Sequence, residues 1–232
     1  MSNKIIIAAI KEWNISNYFK LKDMLAPKYN LILLTSEEEL SIDNIKNINP
    51  KYIFFPHWSW KISKDIFTNY KCIIFHETDL PYGRGGSPIQ NLILNEKYNT
   101  KISAITCSDE IDAGDIYLQK NIDISKGNIE EIFTKISEVI FFSMIPALIE
   151  QNIIPKKQDG KIVTFSRRKP EDSNLNNFKY NSISRLYDFI RMVDSDEYPR
   201  VFLKINNLEM KFSEVTIKNN KLIGKFEVLE NE

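Results

Sequence analysis

Four short runs built almost wholly from apolar residues recur early in the chain, at residues 5–10, 31–34, 52–55 and 72–75. Helix-length segments separate them: residues 16–26, a polar stretch at 36–48, and a shorter turn at 64–67. A strand that is apolar on both faces must be covered on both faces. Strands alternating with helices supply that cover by forming a parallel sheet between two helical layers. The pattern therefore predicts an α/β fold with a mostly parallel sheet. Such sheets bind ligands beyond the carboxyl ends of their strands, which directs attention to the residues just after each run.

The rest of the chain fits one domain and a small appendage. A helical stretch is expected at 89–95, strands at 102–107 and 116–119, and a long amphipathic helix at 129–152. Near Pro155 the character changes to a polar linker, Lys156-Lys157-Gln158-Asp159-Gly160-Lys161. A helix at 184–193 and three strands at 201–205, 208–217 and 222–229 close the chain, with Asn206-Asn207 and Asn219-Asn220 as hairpin turns. The expected division is a catalytic domain over 1–155 and a small α+β, hairpin-bearing region over 156–232.

Charge and cysteine content narrow the function. Lys+Arg and Asp+Glu both number 31, so the basic excess of a non-specific nucleic-acid binder is missing. The apolar run at 5–10 is followed by Lys11 and Glu12, too soon for a membrane span and without a signal-peptide cleavage pattern. Cys72 and Cys107 are isolated, which suits a reducing cytoplasm. The expectation is a cytoplasmic protein that binds neither membrane nor nucleic acid.

Two of the apolar runs end in unusual residues. The run 52–55 leads into Pro56-His57-Trp58, and 72–75 leads into His76-Glu77-Thr78-Asp79-Leu80-Pro81; these hold both histidines of the chain. Arg84-Gly85-Gly86-Ser87-Pro88 comes next, and later the acidic loop Glu110-Ile111-Asp112-Ala113-Gly114-Asp115. A histidine at a strand end can move protons, and a glycine pair lets backbone approach a ligand. Taken singly, each piece also reads as a core histidine, a tight turn or a cap.

Together, His76-Glu77-Thr78-Asp79-Leu80-Pro81 with Gly85 and Pro88, then Ile111-Asp112-Ala113-Gly114-Asp115, resemble the motifs of the formyltetrahydrofolate-dependent formyltransferases. The order and spacing of these motifs match that family over residues 50–155, and the run from Phe54 through Phe202, with Phe55-Pro56-His57-Trp58-Ser59, residues 164–171 and 186–191, and Tyr198-Pro199, most resembles sugar N-formyltransferases of pseudaminic-acid-type pathways. The resemblance implies a Rossmann-like catalytic domain, 10-formyltetrahydrofolate as formyl donor, and no metal. His76 and Asp112 fall on two of the family's three catalytic positions. The third, an asparagine two residues before the histidine, is Ile74 here. Losing one donor to the developing oxyanion typically costs about 3–4 kcal/mol. His57, at the end of the preceding run, is the candidate replacement, with a packing or orienting histidine as its other reading.

The resemblance further implies folate contacts from Leu80, Pro81, Gly85, Gly86, Asp109, Glu110, Ile111 and Gly114. Acceptor contacts are expected from Thr78, Arg84, Arg167, Arg168, Arg191 and Tyr198, with Arg200 a further diphosphate candidate because arginine forks match phosphate oxygens. The implied acceptor is the amine of a 4-amino-4,6-dideoxy sugar on a nucleotide diphosphate, and the assembly a homodimer. Two alternatives stay open: a degenerate protein that only binds folate or a nucleotide sugar, and an enzyme for an aminoacyl acceptor such as methionyl-tRNA.

Overall fold

The computed structural model describes residues 2–179 and 181–230. Its first half holds β1 (Lys4–Ala8), α1 (Glu12–Leu25), β2 (Asn30–Leu34), α2 (Ile42–Ile48), β3 (Tyr52–Phe55), α3 (Lys64–Asn69), β4 (Cys72–His76), β5 (Tyr82–Gly85), α4 (Pro88–Leu94), β6 (Asn99–Thr106) and β7 (Ile116–Asp123). Then come α5 (Ile129–Val139), a π-helical turn at Ile140–Met144, α6 (Ile145–Glu150), β8 (Val163–Phe165), α7 (Ile183–Arg191), β9 (Phe202–Ile205), β10 (Leu208–Lys218) and β11 (Lys221–Glu230).

Six strands form the central sheet in the order β2-β1-β3-β4-β6-β7. The pairs β1–β2, β1–β3 and β3–β4 are parallel, and β4–β6 is antiparallel. All four apolar runs became strands of this sheet, so the expected α/β fold with a mostly parallel sheet is what the chain adopts. The physical reason is burial: Ile5, Ile6, Ile7, Ile53, Phe54, Phe55 and Ile73 are wholly inaccessible. Each such side chain contributes roughly 1.5–3 kcal/mol. Alternation sends Ile6, Ala8, Ile53 and Phe55 to one face, where they pack with Leu40 and Ile45 around α2 and with Ile66 of α3. Helix α2 is capped at its start by Ser41, which accepts from the Asn44 N–H, and at its end by left-handed Asn49.

The helix expected at 129–152 is interrupted. Pro146 lacks the N–H its helix requires and crowds the carbonyl one turn back, and the π-helical turn just before it absorbs that mismatch. The helical run Ile129–Glu150 has the length and mean hydropathy of a membrane span, 1.7, and 56% of that window is buried inside the protein.

The chain separates into two compact units. One contains the segment ending at Arg84 together with Thr100–Ile122 and Thr134–Thr164; the other contains Gly85–Asn99, Asp123–Phe133 and the segment from Phe165 onward. Both are discontinuous in sequence, unlike the single boundary expected near residue 155. In the second unit β11-β10-β9 form an antiparallel sheet. Its β10–β11 turn is made by Asn219 and Asn220, both at positive φ as a tight hairpin demands. Helix α7 is capped by Ser182, which accepts from the Arg185 N–H, and carries buried Asp188 and Arg191 beside half-buried Tyr98. Asp188 accepts from Tyr98 Oη at 2.6 Å and from Arg191 Nε at 2.7 Å.

Candidate active site

Three pieces of the first unit build the site. Strand β4 ends in His76, which is buried. The next segment turns back so that the Gly83 carbonyl lies 2.8 Å from His76 Nε2. A carbonyl only accepts, so Nε2 carries the proton and donates. That leaves Nδ1 as the ring nitrogen able to take up a proton. The loop between β6 and β7 brings Asp112 Oδ1 to 3.5 Å from Nδ1. Asp112 reaches this position with φ at +53°, left-handed backbone that few non-glycine residues adopt. Gly114 presses against β6 so closely that a Cβ there would lie 1.8 Å from the Thr106 carbonyl oxygen, so only glycine fits.

Beside this pair lies a cleft of about 890 Å³, lined by Phe55, residues 58–64, Phe67, Ile74 and residues 105–112. Its walls combine Trp58, Trp60, Ile62, Phe67, Ile74 and Ile105 with the backbone of the acidic loop, a surface suited to a flat heterocycle. Trp58 contributes an indole N–H that is buried and has no hydrogen-bond partner among the described residues. Burial pushes the Cys107 thiol in this wall up to about 11. It stays protonated and is no nucleophile. Asp112 belongs to both features, lining the cleft and facing His76.

Asp109, Glu110 and Ile111, expected at the folate, line the cleft with Asp112. Ile74, where the family has asparagine, lines it too and offers no donor. The parallel pairing of β3 and β4 makes the runs leading to His57 and His76 neighbours, as a replacement role for His57 requires. The structure gives His57 a partner that sequence reasoning missed. Its Nδ1 is 3.5 Å from Oε1 of buried Glu77, and its ring meets Trp13 edge-on. Burial works against the Glu77 charge, but the hydrogen bond from His57 and the charges of His57 and His76 outweigh it and hold the carboxyl below its ordinary range.

Other expected contacts occupy different places. Leu80 and Pro81 are buried and do not line the cleft, because the apolar pair packs inward. Thr78 is wholly inaccessible, and its carbonyl accepts from Ser103 Oγ at 2.6 Å. Arg84 is buried and donates to Gln158 and Glu110. Gly114 serves the loop's packing rather than the cleft wall.

Gly85, Gly86, Arg167, Arg168, Arg191 and Tyr198 belong to the second unit. Gly86 lies against Arg167, where a Cβ would sit 2.5 Å from the arginine Cβ. Arg167 is exposed. Arg168 lies over the Phe189 ring and donates to the Asp172 carbonyl. Arg191 is 1% accessible and donates to Asp188, Gly127 and Ile124, so its guanidinium is committed to the interior. Tyr198 stacks on Phe133. Arg200 pairs with Asp196 at 2.7 Å.

Comparison with known proteins decides the family. A methionyl-tRNA formyltransferase from Clostridium thermocellum of known structure is 46% identical, covers 98% of this chain and 99% of its own, and superposes with a TM-score of 0.93. This chain belongs to the formyltransferase family. It is an N-formyltransferase. Residues 170–229 match the family model described as the C-terminal domain of methionyl-tRNA formyltransferase. Methionyl-tRNA formyltransferase from Campylobacter jejuni is 27% identical over 218 residues, spanning 91% of this chain and 70% of that protein. A likely sugar N-formyltransferase from Mycobacterium tuberculosis, 12% identical, covers 100% of this chain and 99% of its own with a TM-score of 0.70, and at that identity shares the fold alone. The formyltransferase motifs around His76 and Asp112 therefore sit in a family member along nearly its whole length.

Proposed function

We propose that this formyltransferase takes the formyl group of 10-formyltetrahydrofolate and places it on a primary amine through His76 and Asp112. The observation that carries the reading is the His76 Nδ1–Asp112 Oδ1 approach of 3.5 Å at the edge of the large cleft. The cleft's volume and aromatic wall fit a pterin, with Asp109, Glu110 and Ile111 along its edge. The folate supplies an electrophilic formyl carbon.

The protein's part is proton handling and charge. An amine must be neutral to attack and must shed a proton as its bond to the formyl carbon forms. His76, anchored through Nε2–H on Gly83, presents Nδ1 to take that proton, and the Asp112 carboxylate stabilises the resulting imidazolium. The same proton is then available to the departing folate nitrogen. The formyl oxygen becomes negative during attack and needs a donor that Ile74 lacks. We assign that donor to His57, which Glu77 holds from behind at 3.5 Å.

The acceptor of first choice is the α-amine of methionyl-tRNA, because the 46% identical full-length relative and the C-terminal match both carry that name. A second reading, the 4-amino group of a nucleotide-linked 4-amino-4,6-dideoxy sugar, is favoured by the zero net charge and by the exposed Arg167, suited to a diphosphate. Cytoplasmic residence suits either, since both acceptors are made there. The test offers the purified enzyme formyl-labelled 10-formyltetrahydrofolate with each acceptor separately. Label on methionyl-tRNA supports the first reading and label on the sugar the second. Label on neither, with binding of folate intact, returns the protein to a binding role.

A further inference from the structure

We infer that Gln158, held by Arg84, is a positioning residue that aims the Asp112 carboxylate at His76. The inference rests on the proposed role of Asp112 and concerns Gln158, which lies outside the family motif. Gln158 lies in the polar stretch after Pro155 that reads from sequence as a linker. In the fold its side-chain amide is fully used. Nε2 donates to the Asp112 carbonyl at 2.7 Å and to the Gly114 carbonyl at 2.8 Å. Oε1 accepts from Arg84 Nε at 3.1 Å and from Nη2 at 2.9 Å. The amide orientation is fixed by chemistry, since carbonyls only accept and a guanidinium only donates.

The third arm of Arg84, Nη1, donates to Glu110 Oε1 at 3.0 Å. One network therefore grips the acidic loop at residues 110, 112 and 114. It is anchored two residues before Gln158, where Lys156 exchanges both backbone hydrogen bonds with Ile116 at the start of β7, at 2.7 and 2.9 Å. The loop needs such a grip because Asp112 occupies left-handed backbone at φ +53°. That backbone is uncommon for a residue other than glycine, and hydrogen bonds from its surroundings help to hold it there. Releasing the Asp112 carbonyl lets that backbone relax and turns the carboxylate away from Nδ1. Proton transfer is steep in such displacements, and about 1 Å of misplacement can cost a hundredfold in rate.

The experiment is a double-mutant cycle on formyl transfer from 10-formyltetrahydrofolate, using methionyl-tRNA or the nucleotide-linked amino sugar, whichever the wild-type enzyme formylates. Gln158→Met removes both arms of the clamp, and kcat should fall about tenfold or more, with a smaller change in the KM for 10-formyltetrahydrofolate. In an Asp112→Asn background the same substitution should cost less than about twofold, because no carboxylate remains to be aimed. Gln158→Glu keeps the Arg84 pairing but sets a carboxylate against two carbonyls, and should lose at least as much rate while still showing a cooperative melting transition. If Gln158→Met does not fold, the cycle with Gln158→Glu stands in its place. Wild-type rates in the Gln158 variants, or equal losses with and without the Asp112 carboxylate, overturn the inference. An Asp112→Asn enzyme at full rate strikes instead at the catalytic reading of Asp112, and removes the clamp's purpose with it.

Discussion

His76 has one ring nitrogen fixed by Gly83 and the other turned to Asp112, so its orientation is decided by backbone and not by a mobile partner. The compensation for Ile74 is tested at the same scale. His57→Ala should slow turnover by about a hundredfold if His57 supplies the missing donor, and His57→Gln should be milder. Ile74→Asn should return part of the loss, since positions 74 and 76 share one face of β4. Steady-state rates of these variants check the assignment, and a nearly wild-type His57→Ala enzyme transfers the role to a backbone N–H. Glu77 adds a pH signature. Its carboxyl is held below the ordinary value of 4.5, so its stabilisation is complete above that value and is lost as pH falls through the depressed one. Calorimetry from pH 6 to about pH 3 should show Glu77→Gln losing melting temperature less steeply than wild type. An equal slope would mean that Glu77 titrates alike in the folded and unfolded chain. His76, Asp112 and the departure at Ile74 are legible because they sit in a spaced motif. Glu77 lies inside that motif yet escapes a reading of it, because nothing in the sequence says which side chain faces His57.

At the scale of elements, the apolar runs announce the sheet because strands buried on both faces leave no polar alternation to misread. Helix α1 begins at Glu12, four residues ahead of the expected 16, because Lys11 offers no capping side chain to mark the start. Strand β5 is not legible, since Tyr82-Gly83-Arg84-Gly85 reads as a turn. Helix α7 carries the clearest energetic test. Arg191 is buried and its charge is matched by Asp188 in the same helix. Asp188→Ala leaves that charge unpaired and orphans Tyr98 Oη, so unfolding by denaturant should show a loss of about 3–5 kcal/mol. A loss under about 1 kcal/mol would place Arg191 at the surface in solution. The Tyr98 phenol tells the same story: burial first, then the hydrogen bond to Asp188, push it up to about 12.

At the scale of the whole molecule, the fold is readable, and the assembly of distant segments is not. Arg84, Gln158 and Asp112 are separated by long stretches of chain, and no local pattern signals that one clamps the next. Arg191 shows the converse: an arginine suited to a diphosphate by type is consumed by the interior. Zero net charge speaks against a non-specific nucleic-acid binder, while relatives of 46% and 27% identity carry the name methionyl-tRNA formyltransferase. Across both readings the central claim is unchanged: His76 and Asp112 act as one proton-handling pair. Single-turnover formyl transfer at saturating 10-formyltetrahydrofolate tests it most directly, comparing wild type with His76→Ala, Asp112→Asn and the double variant. Each single variant should lose about a hundredfold or more, and the double variant should be hardly slower than the worse single one. Losses that multiply in the double variant, or a single variant at wild-type rate, would contradict a joint role for the pair.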